Sequence, residues 1–201
     1  MGSYKEFGGW LDSIHVKHPK SRIRVSEYGV GVNTQDHSQN PSEPEPGGPF
    51  HPEEYQNLYH EIHWKEIEKH PFLYATSLWV GFDFSSDGRN EGKNPGVNDK
   101  GLLTQDRKIK KDAYYFYKAN WNEEPMVYIT SRRFTQRQDS IVEVKNLFQL
   151  RLSTNPGKSE EISYHYFFGS YLPLEKCNSR FWRKYDFGFR IYEKPDTVRY
   201  L

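Results

Sequence analysis

Between residues 22 and 84 a short β-branched stretch, a long loop, an unbroken helical pattern and a near-continuous apolar run follow one another, and this order constrains the fold more than any other feature. Arg22 to Ser26 alternates around Ile23 and Val25, as a short strand does, and Glu27, Tyr28 and Gly29 follow directly. Residues 52–69, PEEYQNLYHEIHWKEIEK, place a proline in the first turn, Glu53 and Glu54 near the positive end of the helix dipole, and Lys69 at the other end. Tyr55, Leu58, Tyr59, Ile62 and Ile67 supply the apolar stripe of that helix. Pro71 stops it, and residues 72–84, FLYATSLWVGFDF, read as a strand buried on both faces. Strand, helix and strand of these lengths predict a parallel crossover and hence an α/β architecture, with Glu27 at the C-terminal end of a strand.

The flanking segments extend this pattern. Phe7, Trp10, Leu11 and Ile14 recur at helical spacing until His18-Pro19, predicting a short amphipathic helix. Residues 33–49, NTQDHSQNPSEPEPGGP, form a polar loop long enough to serve as a lid or rim. A second loop, SSDGRNEGKNPGVNDKG, follows the apolar run, and DAYYFYKANW after it reads as a helix. The βα region ends near Trp121, which predicts a first domain over residues 1–122. Beyond it MVYITS and SIVEVK alternate with period two around a polar turn, so residues 123–201 open as a β-hairpin of a sandwich-like domain. After residue 145 the strand alternation weakens.

Composition narrows the function classes. Five Trp, 15 Tyr and 13 Phe mark a chain that folds, and with only 35% hydrophobic residues much of this aromatic surface is expected to lie partly open, as in sites that stack on sugar rings. A formal net charge of +1 offers no electrostatic case for nucleic acid or for an anionic membrane surface. The single Cys177 founds neither an internal disulfide nor a zinc site. No run reaches the roughly 18–20 apolar residues of a membrane span. The start, MGSYKEFGGW, lacks the order of a secretion signal, so the compartment stays open, a periplasmic or secreted parent enzyme included.

Several residue groups invite chemistry and most do not sustain it. His60 and His63 are three apart where a helical zinc protease needs two His four apart, so His51, His60, His63 and His70 are expected at the surface or in helix packing, and no metal or cofactor is expected. NPGKS at 155–159 lacks half of a phosphate-binding loop, and Ser26 and Ser77 sit in no nucleophile elbow. Glu27 remains. A carboxylate at the C-terminal end of a strand suits covalent glycoside chemistry, which needs two carboxyl groups about 5–5.5 Å apart, but spacing alone favours a plain loop residue.

The surrounding motifs decide between these. SEYG at 26–29, TSLWVGFDFSSDGRNEG at 76–92 and GVNDKGLLTQDRKIKKDAYYFYKANW at 96–121 occur in this order, and the stretch from residue 4 to about 145 resembles the β-galactosidase branch of family 2 glycoside hydrolases. The resemblance implies the last strands of a (β/α)8 TIM barrel followed by the start of an immunoglobulin-like β-sandwich. It implies Glu27 as the nucleophile of double-displacement hydrolysis at the end of the seventh strand, Tyr28 lining the same site, and Trp79 at the end of the eighth strand stacking on the sugar. Asp83 either binds a sugar hydroxyl or orients loop amides. Asn98 and Lys100 resemble positions that glucuronidases use to grip a sugar carboxylate; the alternative is a loop capped by Asn98 with a solvated Lys100.

The resemblance also sets expectations for the whole. The partner is a carbohydrate, galactosides first, with a non-catalytic sugar-binding remnant and a glucuronidase as the other readings. The family's acid/base Glu has no counterpart here, so the separated chain is expected to be nearly inactive, since loss of general acid help costs about 10²–10⁴ in rate. Open barrel edges predict self-association. NLFQLRLSTNPGKS departs from the family pattern after residue 145, through either a shifted reading frame or divergence.

Overall fold

A computed structural model describes residues 6–45, 47–122, 124–137, 141–149, 164–173, 190–192 and 198–200. The chain divides into two compact units, Met1–Asn122 and Glu123–Leu201. The first mixes helix and sheet: α1 (Phe7–Lys17), β1 (Ile23–Tyr28), α2 (Glu53–Lys69), β2 (Leu73–Leu78), the short β3 (Phe84–Ser85) and β4 (Val97–Asn98), then α3 (Asp112–Trp121). The second contains β5 (Met126–Ile129), β6 (Ile141–Gln149), β7 (Tyr164–Pro173), β8 (Arg190–Tyr192) and β9 (Val198–Tyr200).

In the first unit β1 and β2 pair in parallel, with α2 as the intervening crossover, as the order of the segments predicts. β2 is shorter than the apolar run suggested and is only half-buried along its length, so burial on both faces is not what the structure has. The run ends as a strand at Leu78 because Val80 and Gly81 turn to bond with the loop carrying Lys100, Leu102 and Leu103. β3 and β4 form a small antiparallel pair within that loop.

α2 is the centre of the unit. Tyr55, Tyr59 and Ile67 of its apolar stripe are buried, whereas Leu58 and Ile62 are only half-buried. Glu53, Gln56, Asn57, His60, Glu61 and His63, which look solvent-facing in the sequence, are also buried. Each gains a place inside through a partner. Asn57 donates to Glu61 at 2.7 Å, and Glu53 accepts from the first amide of α3, Asp112 N, at 2.9 Å. That last bond satisfies one of the free N–H groups at the start of a helix, so α2 caps α3 with a side chain from 59 residues earlier. Phe116 and Tyr117 of α3 fill the space against α2. His51 and His70 are likewise buried, which places these four of the eight histidines in packing and none of the four on the open surface.

In the second unit β5, β6 and β7 form an antiparallel sheet in that order, and β8 pairs with β9. The expected pairing of MVYI with the IVEV stretch is shifted: Met126–Ile129 pair with Gln149 back to Asn146, Lys145 O accepts from Thr130 N just past β5, and Ile141–Val144 pair with β7. β6 thus continues through the point where the sequence pattern weakens. Cys177 and the NPGKS segment lie outside the described residues. Among the described residues no helix is long and apolar enough to cross a membrane.

Candidate active site

The strand carrying Glu27 is irregular where it matters. β1 matches Val25 to Thr76 and Tyr28 to Leu78, so two residues of β1, Ser26 and Glu27, oppose the single Ser77 of β2. An extra residue in one strand reverses the alternation of side chains beyond it. Ile23 and Val25 point inward; without the bulge Glu27 would follow them, and Tyr28 would face out. With it Glu27 is exposed and Tyr28 is buried at 1% exposure. Arg24 lies on the exposed side too, its guanidinium donating to Ser77 Oγ at 2.7 Å.

Tyr28 therefore does not line an open site. Its hydroxyl packs 3.0 Å from that of Tyr117, and burial, the largest influence, pushes its pKa up to about 12. The reading of Tyr28 as a sugar contact is corrected by the same bulge that exposes Glu27.

Trp79 begins the turn after β2 and donates its amide to Tyr28 O at 2.8 Å, which ties the two strand ends together. Its ring is 38% exposed and meets Phe84 edge-on with centroids 6.0 Å apart. The close approach accounts for Gly29: a Cβ there would stand 1.9 Å from Trp79 O, so no larger residue fits after Glu27-Tyr28.

Asp83 is buried and occupied. Its Oδ1 accepts from Gly101 N at 2.8 Å and from Lys111 Nζ at 2.7 Å. The reading in which it orients loop amides fits this geometry. Gly101 is needed for that contact, since a Cβ would lie 2.2 Å from Asp83 N. Asn98 is also buried and caps the loop, its Oδ1 accepting from Lys100 N at 3.2 Å. Lys100 extends from this capped turn with its side chain partly exposed, 3.5 Å from Glu91 Oε1, and Arg89 holds the same Glu91 oxygen. Val80 N donates to Lys100 O at 3.2 Å, so Lys100 is fixed to the backbone that follows Trp79.

Sequence reasoning missed a buried polar cluster behind these residues. Lys111 is fully buried; it contacts Asp83 Oδ1 and Asp99 O, the latter at 3.0 Å. His51 Nδ1 lies 2.7 Å from Asp99 Oδ2. Burial pushes the Asp83 carboxyl up and the Lys111 ammonium down, each opposed by the charge of the other. Burial also pushes Asp99 up, but the hydrogen bond and charge of His51, with Lys111 behind them, outweigh it and hold that carboxyl below its ordinary range. A pocket of about 60 Å³ opens beside the cluster, lined by Asn33, Asp83, Asn94, Asp99, Thr104 and Lys111 among others. Nothing in the spacing of KIKKDAYY singles out Lys111 from its neighbours; its position one residue before a helix capped by Glu53 is what buries it.

No family model matches the chain. Curated relatives and solved structures do. A β-glucuronidase of Bacteroides fragilis is 48% identical over 130 residues, covering 64% of this chain and 19% of the relative. The structure of an FMN-binding β-glucuronidase from Facaelibacterium prausnitzii L2-6 is similar with a TM-score of 0.73 and 36% identity, over 86% of this chain and 27% of that one. A Bacteroides fragilis protein provisionally named a β-galactosidase gives 0.70 and 35%, over 73% of this chain and 22% of that one. The chain spans about a fifth of the length of the curated relatives it matches. By sequence and by fold it is homologous to one portion of longer proteins named as β-glucuronidases and a β-galactosidase.

Proposed function

We propose that Glu27 is the nucleophile of a retaining β-glycosidase of family 2, and that the first unit is the closing part of its (β/α)8 barrel. The bulge at Ser26-Glu27 carries this reading, because it turns one carboxylate out at the C-terminal end of a parallel strand while Val25 and Tyr28 stay in the core. In the reaction a Glu27 oxygen bonds to the anomeric carbon as the glycosidic C–O bond breaks, and water then releases the sugar from the ester. Trp79, partly open and anchored to the same strand end, offers a flat apolar face to the pyranose. The antiparallel β5–β6–β7 sheet supports residues 123–201 as the start of an immunoglobulin-like sandwich.

For the glycone, the names of the relatives move β-glucuronides ahead of β-galactosides. Lys100 supports this, since its backbone is fixed to the turn after Trp79 and its partly exposed ammonium, 3.5 Å from Glu91, can pair with a sugar carboxylate.

Covalent labelling tests both statements. The 2,4-dinitrophenyl 2-deoxy-2-fluoro-β-glycosides carry a leaving group that departs without a proton donor, so labelling needs the nucleophile and not an acid. Incubation with the glucuronide reagent is expected to add one glycosyl mass to the peptide containing Glu27, and Glu27→Gln to abolish it. Lys100→Ala is expected to slow labelling by the glucuronide about tenfold, worth about 1.4 kcal/mol, and to leave the galactoside reagent unaffected. Sugar binding with no label from either reagent would overturn the nucleophile in favour of a binding remnant.

A further inference from the structure

The strand end bearing Glu27 is held from behind by a chain of buried polar groups. Tyr28 Oη is 3.0 Å from Tyr117 Oη, and Tyr117 Oη is 3.0 Å from His60 Nδ1. One residue further on, the hydroxyl of Tyr59 bonds to the backbone of Gly29. Residues 28 and 29 are therefore each tied to a helix behind the sheet. The direction of the chain follows from His60. Its Nε2 is buried with no hydrogen-bond partner, and a bare ring nitrogen is easier to bury than an unpaired N–H, so Nδ1 carries the proton and donates to Tyr117. Tyr117 then donates to Tyr28.

These groups are not needed for packing alone. Apolar rings of the same shape would fill the space, and exchanging a whole buried polar set for apolar groups is often neutral or stabilising. What hydroxyls add is direction: with Tyr28 tied at its tip to Tyr117 and at its backbone to Trp79, its ring is fixed behind the bulge, and the adjoining Glu27 is held to one orientation. We propose that Tyr117, set by His60, is a positioning residue that orients the Glu27 carboxylate through Tyr28. This rests on the reading of Glu27 as nucleophile.

The test is Tyr117→Phe in the full chain, which removes one oxygen and keeps the ring. With the fluoroglucuronide reagent, the labelling rate constant is expected to fall about tenfold while the concentration for half-maximal rate stays within about twofold, because orientation and not binding is lost. In carbon- and nitrogen-labelled protein, the Glu27 carboxyl and Gly29 amide signals are expected to broaden through millisecond exchange. Leu11→Ala, a destabilising change in α1, is the control and leaves both signals sharp. Unchanged labelling with sharp signals in Tyr117→Phe would overturn the proposal, as would the same broadening in Leu11→Ala. If the unaltered chain takes no label, the nucleophile reading fails by itself, and the broadening still decides whether Tyr117 holds the strand end.

Discussion

Helices α1 and α2 lie side by side in the first unit and bury very different things. α1 reads as the amphipathic one, with Phe7, Trp10, Leu11 and Ile14 at helical spacing, yet only Leu11 is fully buried and Trp10 is 51% exposed. α2 carries charge and amide along much of its length and buries nine residues, six of them polar. The difference is one of surroundings. α2 is packed against β1, α3 and the loops over most of its surface, and its buried polar side chains survive there because each makes at least one bond, to a group such as Asp112 N, Tyr117 or a backbone carbonyl. α1 touches the unit along one line only. Hydropathy ranks side chains by what leaving water costs, and enclosure decides which of them leave it.

Three changes probe this contrast, in falling order of effect. Lys111→Met removes the buried ammonium and strands Asp83 without its counter-charge; the unit is expected to lose about 3–5 kcal/mol in urea unfolding at pH 7.5, as when one partner of a buried ion pair is deleted. A loss under about 1 kcal/mol would mean that Asp83 is satisfied by taking up a proton, and the enclosed side would be less dependent on pairing than α2 suggests.

Acid comes next. Burial holds His60 down to about 3, and burial also lowers His63, to about 4, against an ordinary value of 6.5. The unfolded chain therefore binds protons more readily than the fold, so their contribution is complete above pH 7 and is lost as pH falls below 6.5. At pH 5 the loss is expected to be about 2 kcal/mol for each of them, from 1.36 kcal/mol per pH unit over about 1.5 units. Urea titrations at pH 7.5 and 5 with His60→Gln measure it; a variant as acid-sensitive as the parent would clear His60 of the effect.

In α1 the buried residue matches the acid effect of one histidine, and the exposed one gives the smallest effect of all. Leu11→Ala is expected to cost about 2–3 kcal/mol, the low end for a buried leucine, and Trp10→Ser less than about 0.5 kcal/mol in thermal melts. A Trp10 change as damaging as the Leu11 change would show that the outer face of α1 is covered in solution.

Much of the architecture was legible in the residues. Pro19 and Pro71 bound the helices as expected, and the parallel pairing of the segment before Glu27 with that after Pro71 follows from their order and spacing. The site was legible only in outline. Spacing placed Glu27 at a strand end but not the bulge that turns it outward, because an extra residue is visible only against the strand it pairs with. Tyr28 was misjudged for that reason, and Lys111 and Asp99 were passed over because burying a charge depends on partners far along the chain. Asp83 and Asn98 proved to be supports of the loop that presents Lys100.

The sequence by itself determined the order of strand, helix and strand, the stops between them, and the motifs that relate the chain to glycosidases, since these depend on residues within a few turns of one another. Only the tertiary structure decided which carboxylate is exposed, which polar groups are buried and which hydroxyls brace the strand end. Those outcomes are set by contacts between residues 28, 60 and 117, or 83, 99 and 111, and the energy of such a contact belongs to no local pattern.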